Sequence, residues 1–161
     1  MRSTHDASPV ITSIDDHLLQ LRQTQARPGY RRQLLAGVNG VGGVGTLRVL
    51  RSIERSEASG SSPSIRDVAA DLDIEHSTAS RATNDTCRRG LTTRNASADD
   101  QRRVMLTLTD AGRAAANQAT RNRRGIVGAA LDGWTHEDVL RLDELLGRLV
   151  DGMSDTTRIQ A

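Results

Sequence analysis

The chain has no phenylalanine and no lysine, and its 161 residues include one cysteine, one tryptophan, one tyrosine and three prolines. A core without phenylalanine has to be assembled from Leu, Val, Ile and Ala, which favours helices brought close through small side chains. The single cysteine, Cys87, excludes an internal disulfide and a multi-cysteine zinc site. No apolar run approaches the roughly 20 residues of a membrane span, and the opening MRSTHDASPV lacks the apolar segment of a secretion signal. The expectation is a soluble, cytoplasmic protein with no membrane association. Hydrophobic residues make up 36% and charged residues 26%, the composition of one lean globular domain.

A formal net charge of +2 excludes a general polycation, so the distribution of charge matters more than its sum. Between Arg81 and Arg103 six arginines (81, 88, 89, 94, 102, 103) face three aspartates (85, 99, 100). Such a run is ordinarily a solvated surface, but the planar fork of arginine also suits phosphate and guanine. Gly40, Gly42 and Gly45 satisfy the G-x-G-x-x-G pattern of dinucleotide loops, which carries meaning only between a strand and a helix. The preceding YRRQLLAG is neither β-branched nor alternating, so a tightly packed helix junction is the stronger expectation and a nucleotide-dependent enzyme a remote one.

Ile11, Ile14, Leu18 and Leu21 recur at helical spacing, and Arg27-Pro28-Gly29 is expected to stop that helix. TLRVLRSI reads as a second helix with Val49, Leu50 and Ile53 on one side. Ser64 with Asp67 resembles a capping box before Ile65, Val68, Ala69 and Leu72, which fall at i, i+3, i+4 and i+7. Asp73-Ile74-Glu75-His76 then interrupts, and another helix fits Ser77 to Arg89, closed by Gly90 in a left-handed position. LTTRN and RVMLTL, separated by ASADDQR, predict a β-hairpin with a charged tip. Thr109 is placed to N-cap a helix from about Asp110 to Leu131, with a weak point at Gly125–Gly128. Thr135 and Asp138 open the last helix, where Val139, Leu142, Leu146, Leu149 and Met153 keep a three-four rhythm that asks for a partner helix.

The order of elements predicts a mainly α fold with a small β-hairpin wing, a winged helix-turn-helix of about six helices. Asp73 occupies the turn position that needs unusual φ, and Ile74 plugs the angle between the two helices. On the second helix Ala79, Ala82, Thr83 and Thr86 form the less polar side, whereas Ser77, Ser80, Arg81, Asn84, Asp85 and Arg88 form the other. That outer stripe can read base edges: arginine bridges guanine N7 and O6, asparagine bridges adenine N6 and N7. The amides from His76 to Ala79 can hold a phosphate.

Ser64–Gly112 resembles the winged-helix core of the MarR family of bacterial transcription regulators, in SIRDVAADLDIEHSTASR, CRRGLTTR and DDQRRVMLTLTDAG. Its most specific piece is Asp100-x-Arg102 followed by Leu108-Thr109 and Gly112, and the helix order extends the likeness over Ile11–Met153. The resemblance implies a homodimer joined through both chain ends, with Ile11, Ile14, Leu18, Leu21, Val139, Leu142, Leu146, Leu149 and Met153 at the interface. It implies double-stranded DNA as partner, with Ser77, Thr78, Ser80, Arg81 and Asn84 in the major groove and His76 and Arg88 alongside. Arg102 would be the wing contact, oriented by Asp100, with Arg103 and Arg94 helping on phosphates. The implied organisation is an arm and dimerisation helix over 1–30, a DNA-binding lobe over 31–108, and C-terminal helices over 109–161 that complete the interface. The implied function is a repressor reading a pseudo-palindromic operator and released by a small-molecule effector.

Ala79, Ala82 and Thr86 depart from the Val or Leu usual in that family, a loss of about 1–2 kcal/mol of burial per position that would leave the recognition helix mobile without DNA. Gln101 replaces a frequent second basic wing residue. Cys87 reads as a half-buried filler, and Asp15-Asp16-His17 point in different directions around a helix. His5 and His136 have no ligand-spaced companions. No metal, cofactor or catalytic constellation is expected, and the rival to DNA binding is a winged-helix module that binds protein.

Overall fold

The computed structural model describes residues 9–96 and 104–158. In chain order the elements are α1 (Pro9–Ala26), α2 (Pro28–Leu34), α3 (Val44–Ala58), α4 (Ile65–Leu72), α5 (His76–Arg88), β1 (Thr92–Ala96), β2 (Val104–Leu108), α6 (Asp110–Ala130) and α7 (His136–Arg158). The chain divides into two compact units, Met1–Arg123 and Arg124–Ala161.

Among the described residues seven helices stand where about six were expected, and the extra one comes from Pro28. Proline does end α1 at Ala26, because Arg27 is held extended at ψ 144°. The same fixed φ then suits the first turn of a new helix, where the missing N–H is not needed, and α2 starts on Pro28. α6 runs through Gly125 and Gly128 as one helix, and the division between the two units falls just before them, between Arg123 and Arg124.

In the first unit, Leu47, Val49, Leu50 and Ile53 of α3 pack with Val68 of α4, with Leu91 just before β1, with Leu106 and Leu108 of β2, and with Ala115, Ala116 and Ala119 of α6. This core contains no aromatic residue. The alanines let α6 lie close, and one contact is closer still: a Cβ on Gly112 would sit 1.9 Å from the carbonyl oxygen of Leu91. Thr109 holds that junction. Its N–H donates to Leu91 O (3.1 Å), its hydroxyl donates to Gly90 O (2.7 Å), and the same Oγ1 accepts the Gly112 N–H (3.0 Å), which is the expected N-cap.

β1 and β2 pair antiparallel with Thr92 opposite Leu108 and Ala96 opposite Val104. On the other side of β2, Leu106 N–H donates to Pro63 O (2.8 Å) and Ser64 bridges Met105, so the entry to α4 is stitched to the hairpin. Glu57 at the end of α3 fastens the same strand: one carboxylate oxygen accepts the Leu108 N–H (2.9 Å) and the other pairs with Arg113 (2.5 Å). Glu57→Ala removes the acceptor and leaves a shielded N–H without a partner, so chemical unfolding should show a loss of about 1–3 kcal/mol, with Glu57→Gln losing less. An alanine variant as stable as the parent would refute that role for the carboxylate.

Thr135 begins α7 as expected, accepting the Asp138 N–H at 3.1 Å and donating to its carboxylate at 2.6 Å. Neither α1 nor the described part of α7 has a buried residue. On α1, Ile11, Ile14 and Leu21 are exposed and Leu18 half-buried; on α7, Val139, Leu142 and Leu149 are half-buried, and Leu146 and Met153 exposed. Leu140, Leu145 and Val150 add further exposed apolar area on α7.

Candidate nucleic-acid interface

The helix-turn-helix is built from local signals that all agree. Ser64 Oγ accepts the Asp67 N–H (3.3 Å) while the Asp67 carboxylate accepts the Ser64 N–H (2.8 Å), a reciprocal capping box at the start of α4. At its end Asp73 lies in the left-handed region (φ 51°, ψ 55°), with Asp73 N–H donating to Ala70 O and Ile74 N–H to Ala69 O. That is a Schellman closure made by aspartate instead of glycine, and Asp73 has the one positive φ outside glycine among the described residues. Ile74, half-buried, follows in the angle between α4 and α5.

α5 sorts its side chains as its periodicity predicts. Ala79, Thr83 and Thr86 are fully buried and Ala82 packs partly against the core. The buried hydroxyls all find partners: Thr83 Oγ1 donates to Ser80 O (3.1 Å), Thr86 Oγ1 donates to Thr83 O (2.8 Å), and Thr86 and Thr92 share a hydrogen bond at 2.7 Å. Cys87 Sγ lies 3.2 Å from Thr92 Oγ1, half-buried. Thr86 therefore anchors this helix to β1 by a fixed polar contact as well as by its burial. Gly90, at φ 69°, closes the helix with Leu91 N–H donating to Thr86 O.

Facing outward are His76, Ser77, Thr78, Arg81, Asn84 and Arg88, all exposed, with Ser80 half-buried between them. The N-cap Glu75 makes no side-chain capping bond, so the first-turn amides have no cap acceptor from it. Asp85 draws two arginines: Arg89 Nε donates to it at 2.6 Å and Arg88 lies 3.6 Å away. Arg89, one of the six basic residues counted in this region, stays exposed but lies back across the glycine segment. Its Nη1 approaches Gly40 O at 3.4 Å, and a Cβ on Gly42 would strike its guanidinium. The glycines thus seat the end of α5. The segment before them is α2 and a turn, not a strand, so the context that a dinucleotide loop needs is missing.

Arg94 stands on the same face of β1 as the buried Thr92 and reaches back over α5, where its Nη2 donates to Asn84 Oδ1 at 2.5 Å. The other face is a polar ladder in which Thr93 and Asn95 both bond Thr107. Nothing in the sequence marked the Asn84–Arg94 pair; the period-two alternation of β1 together with the helical period of α5 was its one available signal. Asp100, Arg102 and Arg103 lie outside the described residues.

Residues 46–112 match the family model of the winged helix DNA-binding domain. The fold is a winged helix. Solved structures of MarR regulators are similar to it in fold over about 90% of the chain. A MarR family protein from Bacillus stearothermophilus is 14% identical, with 90% of this chain and 96% of that one covered at a TM-score of 0.77. FabT of Streptococcus pneumoniae, solved in complex with DNA, is 20% identical over 90% of this chain and 98% of that one, at 0.73. YusO of Bacillus subtilis is 20% identical over 90% and 99%, at 0.65. No curated protein matches the sequence. The match begins within α3 and ends at Gly112, so the capping box, the turn, α5 and the hairpin all fall inside it.

Proposed function

We propose that this protein is a DNA-binding transcription regulator of the MarR type, a homodimer whose two α5 helices read half-sites of a pseudo-palindrome about one helical turn apart. The observation that carries the reading is the outer face of α5. It presents Ser77, Arg81, Asn84 and Arg88 to solvent beside a β-hairpin, in a winged helix whose buried face is already satisfied. FabT's complex with DNA supports the same use of the fold. Residues 31–108 would be the reading lobe, and the uncovered apolar faces of α1 and α7 would join two copies. Ser77, Thr78, Ser80, Arg81 and Asn84 take the major groove, His76 and Arg88 lie near phosphates, and Arg102 with Arg103, oriented by Asp100, serve the wing; Arg94, expected on phosphates, is engaged with Asn84 instead.

The protein acts as a repressor in the cytoplasm; among the described residues no helix is long and apolar enough to cross a membrane. A small-molecule effector would enter the cavity of about 400 Å³ lined by Gly37, Asn39, Gly40, Arg89, Leu91 and Gln118, which abuts the end of α5. There it can change the seat of the recognition helix, provided it binds the two states of the helix with different affinity.

Arg81 provides the test. Fluorescence anisotropy on random duplex DNA should fall steeply with salt, as phosphate neutralisation requires. Arg81→Ala should cost about 1–3 kcal/mol on the selected operator and relax preference at one base pair. An unchanged operator affinity removes Arg81 from the interface, and binding without salt dependence points to a protein partner instead.

A further inference from the structure

The contact between Asn84 and Arg94 constrains what Asn84 can read. A guanidinium has five N–H donors and no acceptor, so whichever end of the Asn84 side chain faces Arg94 must be the carbonyl oxygen. The 2.5 Å contact therefore fixes the amide by chemistry: Oδ1 is turned to the hairpin and the Nδ2 donors point away from Arg94. Arg94 has cause to stay. Its strand is held in register opposite Leu106, and Thr92 two residues earlier is fastened to Thr86 of the recognition helix. Both partners are exposed, so the pair stands at the edge of the face that would enter the groove.

An asparagine that reads adenine uses both ends of its amide, accepting from N6 and donating to N7. One whose oxygen is already engaged offers donors first, and the base edge that takes two donors is guanine, with N7 and O6. Resting on the DNA-binding reading above, we propose that Arg94 is a specificity-positioning residue: it holds Asn84 in the donor orientation and so turns that position from adenine towards guanine. Oδ1 keeps a second lone pair, so the effect is a shift of preference and not an absolute exclusion.

The experiment selects from a duplex library randomised over one half-site and measures salt dependence for the full-length parent, Arg94→Met, Arg94→Lys, Asn84→Ala and the Asn84→Ala/Arg94→Met pair. Circular dichroism melting checks that each variant folds. We expect Arg94→Met to raise the adenine-to-guanine ratio about tenfold at one position, with its salt slope unchanged. Arg94→Lys, which keeps a donor, should hold the parental preference, and on the Asn84→Ala background the Arg94 substitution should have no further effect on base choice. A uniform loss over all sequences with a slope lower by about one would make Arg94 a phosphate contact and overturn the proposal. Unaltered selection by Arg94→Met would overturn it as well. Failure of the parent to bind any duplex with salt dependence would remove the DNA-binding reading itself, and this proposal with it.

Discussion

Replacing Gly112 with alanine should lower stability by about 1–3 kcal/mol, against the gain that the same substitution ordinarily brings inside a helix. Gly112 is the third residue of α6, where alanine is favoured over glycine by about 1 kcal/mol. Here the added carbon would fall 1.9 Å from Leu91 O and 2.9 Å from Leu91 C, both backbone atoms, so no rotamer change relieves it. Leu91 O already accepts the Thr109 N–H, so displacing it disturbs the N-cap of α6 as well. Gly125→Ala is the matched control. It lies in the same helix with nothing within 4 Å of its would-be Cβ, and should gain roughly 1 kcal/mol. Urea unfolding followed by circular dichroism separates the two, and equal responses would mean that the approach to Leu91 is not as close as described.

A charge in the α7 stripe should act on assembly more than on folding. Leu146→Glu changes a side chain that is already exposed in the single chain, so the isolated protomer should fold nearly as before. If two copies join through α1 and α7, the variant should sediment as a monomer at concentrations where the parent is dimeric. Its affinity for a duplex with two half-sites should fall by roughly 10²–10⁴, because the second helix no longer binds as part of the same molecule. Affinity for a single half-site should not change. A variant that remains a dimer would place the interface elsewhere, and a parent that is already monomeric would refute the dimer.

What could be read in the sequence was whatever its near neighbours decide. Ser64 and Asp67 cap each other across three residues, Asp73 and Gly90 close helices through bonds to the preceding turn, and Thr109 caps α6 from one residue away. The winged helix follows from these signals and from two periodicities. Pro28 was legible as a stop but not as a start, since one fixed φ serves both and the difference lies in the residues that follow. Arg89 enters the sequence reading only as charge, and Arg94 as a helper on phosphates. Their partners, Gly40 and Asn84, stand 49 and 10 residues away, and an exposed arginine carries no mark of which one it will choose. Gly112 belonged to a recognisable wing pattern, but the reason for it, the Leu91 carbonyl, exists only after the chain has folded back on itself.

The aromatic-free interior has an optical consequence. Trp134, half exposed, belongs to the unit Arg124–Ala161, so ultraviolet emission from indole samples that part of the chain. Leu50, Ile53, Val68 and Leu106 can come apart without any fluorophore among them to register it. A melting curve recorded by tryptophan emission would then describe the C-terminal helices, while the reading head loosened in the dark.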